Sequence, residues 1–200
     1  MQCFKNIFIP SKDYPEFWQD YSNAFKKKNN KYQRLVVLDC ETTGLNPKQD
    51  RILSIGAIGI QNNVIQVKDQ FSVFVKQNLS NPKSISIHGI LQNNVDCFTN
   101  EKEAIRGLLQ YLGNSKIIGH HISFDIQMIN LALQREGLPN LKNKVLDTTT
   151  AYAQFKGVNF EVHKSLDELC EEFGIQLKDR HTALGDAFLT ALVYQRMQIT

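Results

Sequence analysis

Acids stand at three separated places in this chain where the surrounding residues give them no ordinary reason to be. Asp39-Cys40-Glu41 closes the short apolar run Leu35-Val36-Val37-Leu38. Residues two apart on a strand point the same way, so both carboxylates address one spot. Two like charges there repel unless a cation sits between them. A bare Asp-x-Glu is common and is ordinarily a solvated strand end. Here Thr42-Thr43-Gly44-Leu45 follows, a tight loop whose N–H groups and glycine suit close approach to a ligand. Asp125 ends the segment Gly119-His120-His121-Ile122-Ser123-Phe124-Asp125, in the first turn of an expected helix. The backbone dipole alone favours an acid there. That helix, however, carries two apolar rows, Phe124/Met128/Leu131 and Ile126/Ile129/Leu133, and a carboxylate entering buried surroundings needs a partner. Asp186 shares a helical face with Leu189 and Val193 and interrupts a core stripe, a position a metal ion would make tolerable. His181 lies five residues earlier. Were both residues helical they would stand about 140° apart, so His181 belongs to the loop before the helix, from which it can turn back toward the acids. A histidine beside an arginine is ordinarily a surface residue, and its assignment rests on the four acids.

The elements that must position these groups are legible in outline. Leu35–Leu38 is continuous apolar sequence, as a strand buried on both faces requires. Ile52 to Ile60 reads as a second central strand, Gln61-Asn62-Asn63 as a turn, and Val64 to Val75 as a more polar edge strand. Ile105, Leu108, Leu109 and Leu112 mark a helix with one buried face. Lys116-Ile117-Ile118-Gly119 and Val145-Leu146-Asp147 are short strands separated by a helix from about Ser123 to Glu136, which Gly137 closes. Ser165-Leu166-Asp167-Glu168 is a capping box opening a helix, and a last helix runs from Thr182 to the carboxyl end. The pattern βββαβαβαα is a mixed α/β sheet flanked by helices. Residues 1–32 read as an extension: Asp13 and Pro15 open a helix whose Phe17, Trp18, Tyr21, Ala24 and Phe25 form an aromatic stripe expected to dock on the main body. The basic run from Lys26 to Lys31 reads as a solvated linker that can graze a phosphate backbone, and 33–200 as the main domain.

Composition excludes several classes. With 200 residues, 42% apolar and 22% charged, the chain is neither disordered nor too short for a core. No run approaches the roughly 18–20 apolar residues of a membrane span, and the amino end lacks the apolar stretch of a secretory signal. Cys3, Cys40, Cys97 and Cys170 form no CxxC pair, which disfavours zinc or a disulfide framework and suits a reducing cytoplasm. The net charge of +3 permits a polyanionic partner without requiring one.

Taken in order, the motif from Val37 to Leu45, the one from Gly119 to Asp125 and His181-Thr182-Ala183-Leu184-Gly185-Asp186-Ala187 resemble the DEDDh branch of the DnaQ-like 3′–5′ exonucleases. This is the family of the proofreading (epsilon) subunit of bacterial DNA polymerase III. Ile87-His88-Gly89-Ile90 and Leu146-Asp147-Thr148 are lesser matches, and the resemblance spans about residues 34 to 195. His121 stands where many relatives have Asn. The chain also stops just after the last helix, so no polymerase-binding tail is expected.

The resemblance implies a ribonuclease H-like fold, a five-stranded mixed sheet with its second strand antiparallel to the rest. It implies that Asp39, Glu41, Asp125 and Asp186 hold two Mg²⁺ or Mn²⁺ ions, and that His181 is the base that takes the proton of the attacking water. It further implies that Thr42, Gly44, Leu45, His88 and Phe124 line the pocket for the 3′-terminal nucleotide. The partner would be a nucleic acid with a free 3′ end, DNA before RNA, with association with a DNA polymerase left open. An exoribonuclease of the same family is the alternative, since no motif here reports on a 2′-hydroxyl. A non-catalytic binding module ranks below both, because it would have no need of an acid in a core stripe. Absence of GxxxxGK[ST] and GxGxxG argues against a nucleotide-dependent phosphoryl transferase.

Overall fold

Strand β1, Leu35–Thr42, is the axis around which the molecule is built. Its apolar first half is buried on both faces, and its polar second half projects the acids. β2, Ile52–Gln61, is buried along all but its last residue, as a central strand must be. β3, Val64–Val75, is largely half-exposed, and the turn before it places Asn62 and Asn63 at φ of 52° and 60°. With β4, Phe98–Thr99, β5, Lys116–Gly119, and β6, Val145–Asp147, these make one six-stranded sheet in the order β4-β3-β2-β1-β5-β6. β2 is antiparallel to β1 and β3, whereas the β1–β5, β5–β6 and β3–β4 pairs are parallel. The computed structural model describes residues 14–26, 34–78, 82–90, 98–158 and 163–198.

The helices are α1, Glu16–Ala24; α2, Pro82–His88; α3, Glu101–Leu112; α4, Ser123–Arg135; α5, Thr148–Phe155; α6, Leu166–Glu172; and α7, Ala183–Met197. Alternation along β1 sorts them onto two faces. Val36 and Leu38 join a core with residues of α1, α3 and α4, while Val37 joins a second core with α5, α6 and α7. Trp18 and Tyr21 of α1 are buried in the first core, so its aromatic stripe docks as expected. The Ser165 capping box is present, and Thr182 caps α7 by accepting from the Gly185 N–H.

Three elements differ from the sequence reading. The sheet gains a sixth strand, the two-residue β4, paired through Phe74 and Val75 beyond the expected five. Helices α2 and α5 arise where no helix was expected. In α5 the run Thr148-Thr149-Thr150 lowers intrinsic helix propensity, and Asp147 offsets this by accepting from the Thr149 N–H at 2.9 Å. The proposed Asp13 cap, the basic run beyond Lys26, the 32/33 boundary, Cys3 and Cys97 lie outside the described residues.

Candidate metal centre and active site

Pleating sends Asp39 and Glu41 of β1 to the face on which α7 packs, and Cys40 to the face of α4. The first turn of α7 carries Asp186 over β2 at Gly56, which pairs with Asp39 in register. A Cβ on Gly56 would collide with the backbone of Ala183 and Leu184, so the missing side chain lets the helix come this close. Oxygens of Asp39, Glu41 and Asp186 then lie within 4.8 Å of one another. Asp186 is buried, while Asp39 and Glu41 remain partly open to solvent.

Asp125 belongs to a different corner of the same place. β5 pairs with β1 only as far as Val37, which leaves the Cys40 N–H without a strand partner on that side. Asp125, buried in the first turn of α4, takes it with Oδ1 at 2.9 Å. The structure therefore gathers three of the four expected acids into one cluster and ties the fourth to the strand between them. The loop entering α4 is in turn fixed by Asp147, whose carboxylate accepts from the His121 and Ile122 N–H groups at 3.3 and 3.0 Å.

Crowding shows in the protonation of these groups. Loss of solvent, then repulsion from Asp125, Asp186 and Glu41, raises the Asp39 carboxyl well above the usual range. Glu41 is pushed up to about 7, first by desolvation and then by Asp186. Asp125 is raised chiefly by burial, against the lowering effect of its hydrogen bonds from Cys40. One cation works in the other direction on both Asp39 and Glu41, the guanidinium of Arg180. Its Nη1 is paired with Asp186 Oδ2, and its Nε donates to Asp167 Oδ1 at 2.6 Å.

His181 follows at once, exposed, at φ 61°, its backbone N–H 3.3 Å from Asp186 Oδ1. It sits in the loop before α7, as the helical geometry demanded. On the other side of the acids, Thr42 is buried and donates its hydroxyl to the Gly44 carbonyl at 2.8 Å. Asp50 stitches that loop by accepting from Thr43 Oγ1 at 2.7 Å and the Asn46 N–H at 2.8 Å. Leu45, at the loop's tip, is 86% exposed, an apolar side chain held out in water. His88 closes α2 and is only 8% exposed. Its Nδ1 accepts from the Ile90 N–H at 3.0 Å, so its proton is on Nε2, which is buried and meets no acceptor among the described residues. Burial also lowers the pKa of this imidazole, which favours the neutral form. Phe124 packs against the first core, its ring partly buried.

Sequence reading missed Arg180, Asp167, Asp50 and Gly56 as parts of this site. Arg180 was visible only as a neighbour of His181. Asp167 is 13 residues from its partner, and nothing local announces their meeting. Gly56 carried a signal, being one of two glycines in a strand otherwise buried and apolar, where glycine marks a close approach.

A model of the exonuclease family RNase_T matches residues 36–194. The DNA polymerase III subunit epsilon of Buchnera aphidicola subsp. Baizongia pistaciae is 36% identical over 179 residues, covering 84% of this chain and 71% of that protein. A PolC-type DNA polymerase III of Pediococcus pentosaceus is 31% identical over 82% of this chain, which spans only 11% of that much longer protein. Among solved structures, the nuclease domain of 3′hExo, a DEDDh family member bound to rAMP, superposes with a TM-score of 0.72 at 19% identity, over 85% of this chain and 94% of that one. E. coli Exonuclease I in complex with a dT13 oligonucleotide gives 0.70 at 19% identity, over 84% of this chain and 41% of that one. These two likenesses speak to the fold.

Proposed function

Because the chain belongs to the exonuclease family, we propose that it removes nucleotides one at a time from the 3′ end of DNA, in proofreading or repair in the cytoplasm. One observation carries the reading: in a chain of that family, carboxylates from β1 and α7, distant in sequence, converge within 4.8 Å. The donor set suits a hard divalent cation, since it is all oxygen and burial together with mutual repulsion raises Asp39 and Glu41. Mg²⁺ or Mn²⁺, two ions in all, would supply activation of water and charge stabilisation at the departing 3′ oxygen. Asp39, Glu41 and Asp186 would hold them, with Asp125 completing the set.

The chain's own groups do the rest. His181 takes the proton of the attacking water on its imidazole, from a loop exposed enough for substrate to reach. Thr42 and Gly44 shape a loop that the terminal nucleotide can approach closely, and Leu45 offers its base an apolar surface. His88 has a buried Nε2–H that meets no acceptor among the described residues, suited to a sugar or phosphate oxygen of that nucleotide. Phe124 backs the pocket through its packing on the core. We take residues 33–200 as the catalytic domain and 1–32 as an extension, and a DNA polymerase as the partner suggested by the relatives' names.

The test offers 5′-end-labelled single-stranded DNA, duplex DNA and RNA in parallel, with Mn²⁺ and with EDTA. Stepwise shortening of DNA that requires Mn²⁺ and releases 5′-monophosphates is expected. Internal cuts, or shortening undiminished by EDTA, would sink the reading, and RNA degraded faster than DNA would shift it to the exoribonuclease.

A further inference from the structure

Arg180 has a seat that a structural ion pair does not need. Its two ends grip different acids: Nε is bound to Asp167, in the first turn of α6, and Nη1 to Asp186 Oδ2, inside the acid cluster. The guanidinium side chain is only 21% exposed. Asp186's other oxygen is engaged weakly, by the His181 N–H at 3.3 Å. The residues on either side of Arg180, Asp179 and His181, are both left-handed, at φ 53° and 61°. This is a tight winding that turns residue 180 toward the cluster. Three clustered carboxylates thus share one resident positive group, anchored from outside by a fourth.

We propose that Arg180 is a tethered counter-ion that competes with the divalent metal for Asp186. It holds Oδ2 when metal is absent, and it gives that oxygen up on metal binding while Asp167 keeps its other end. This rests on the metal reading of the cluster given above. The competition follows from geometry, because the guanidinium occupies one of the two oxygens that Asp186 can offer a cation, and the other already faces the His181 N–H. It also follows from electrostatics, since a fixed positive charge beside the ion raises the cost of a second. What the chain gains is a cluster that remains partly neutralised at low metal. What it gives up is metal affinity.

Calorimetric titration of the full chain with Mn²⁺ decides the matter, comparing wild type, Arg180→Gln and Arg180→Lys. Arg180→Gln should bind Mn²⁺ about 5- to 150-fold more tightly, the usual span of a coupling between two sites. Arg180→Lys keeps the charge but loses the planar fork that spans two acids, so its affinity should fall between the other two. A second measurement is read on the wild-type chain itself. The Arg180 Nε–H resonance of ¹⁵N-labelled wild type, assigned by its loss in Arg180→Lys, should shift with Mg²⁺ along the same saturation curve as calorimetry with Mg²⁺. Equal Mn²⁺ affinity in wild type and Arg180→Gln would overturn the counter-ion alone. So would wild-type affinity in Arg180→Lys, or an Nε–H signal unmoved at saturating Mg²⁺. No uptake of Mn²⁺ by wild type would overturn the metal reading itself and the counter-ion with it.

Discussion

Of the arginines that meet carboxylates in this molecule, Arg34 and Arg180 do opposite things. Arg34, at the base of β1, forks onto Asp69 of β3 through Nε and Nη2, each at 2.7 Å. Its Nη1 donates to the Tyr111 carbonyl at 2.9 Å and the Ser115 hydroxyl at 3.1 Å, and its guanidinium lies 4.4 Å from the Tyr111 ring centre. One cation meets one anion and each is satisfied, so hydrogen bonds from Arg34 hold the Asp69 carboxyl below its usual range. At the other end of β1, Arg180 faces Asp186 and Asp167, with Asp39 and Glu41 beside it. There the carboxylates outnumber the cations, and loss of solvent together with mutual repulsion raises the Asp39 and Glu41 carboxyls. A balanced pair works as glue. An unbalanced cluster shows where the fold gives up stability to hold charge for something else.

The sharpest way to break this comparison is to neutralise one acid at each end. Asp39→Asn should lower nuclease turnover by at least about 10³-fold, since a lost metal ligand forfeits several kcal/mol of charge stabilisation. The same change should raise the melting temperature in EDTA at pH 8, because it relieves repulsion. Asp69→Asn should do the reverse, lowering the melting temperature and leaving turnover intact. Parallel rates and thermal scans of the two variants test both halves, and an active Asp39→Asn would remove the acid cluster from the chemistry.

His181→Ala separates the role of His181 from that of its neighbour Arg180. Turnover should fall by about 10²–10⁴-fold, the usual worth of a positioned base, with Mn²⁺ affinity unchanged by calorimetry. Loss of affinity in step with rate would make His181 a ligand.

Stability against pH should show opposite slopes for the two kinds of site. The Asp39 and Glu41 carboxyls have raised values in the fold. Their contribution is present in full below the unfolded value of about 4, and it is lost as pH climbs toward about 7 for Glu41. Asp69 and Glu172 are lowered, the latter to about 2 by its bonds from Lys156 and Lys164. Their contribution is present above the unfolded value and is lost on acidification. In EDTA the melting temperature should therefore decline between about pH 5 and 8, and excess Mn²⁺ should flatten that decline. A flat or rising curve in EDTA would contradict the crowding. The smallest effect belongs to Arg34→Met. Its pair is partly exposed, so the loss should be about 1 kcal/mol, a few degrees in a thermal scan, with turnover untouched.

Much of this was legible in the sequence because it depends on neighbours in the chain. The pleat that aims Asp39 and Glu41 together, the core stripe that Asp186 interrupts and the Ser165 capping box all follow from spacings of two, three or four residues. The unread parts depend on meetings across the fold. Asp125 joins the site through the Cys40 N–H and not through the three-acid cluster, which shows only once α4 is known to pack beside β1. Asp50, seven residues from Thr43, reads as an ordinary turn acid until the loop closes on it. Helix α5 hid behind three threonines, and β4 is a strand only because β3 lies beside it.

The left-handed backbone at His181 has an evolutionary consequence. Holding that conformation costs a non-glycine residue about 1–2 kcal/mol, and glycine or asparagine would hold it more comfortably. Selection for heat tolerance alone would therefore favour His181→Gly or His181→Asn and deliver a sturdier, silent protein. Residue 181 is a ratchet point, where a lineage or a directed-evolution campaign can gain robustness in one step and lose its catalyst in the same step.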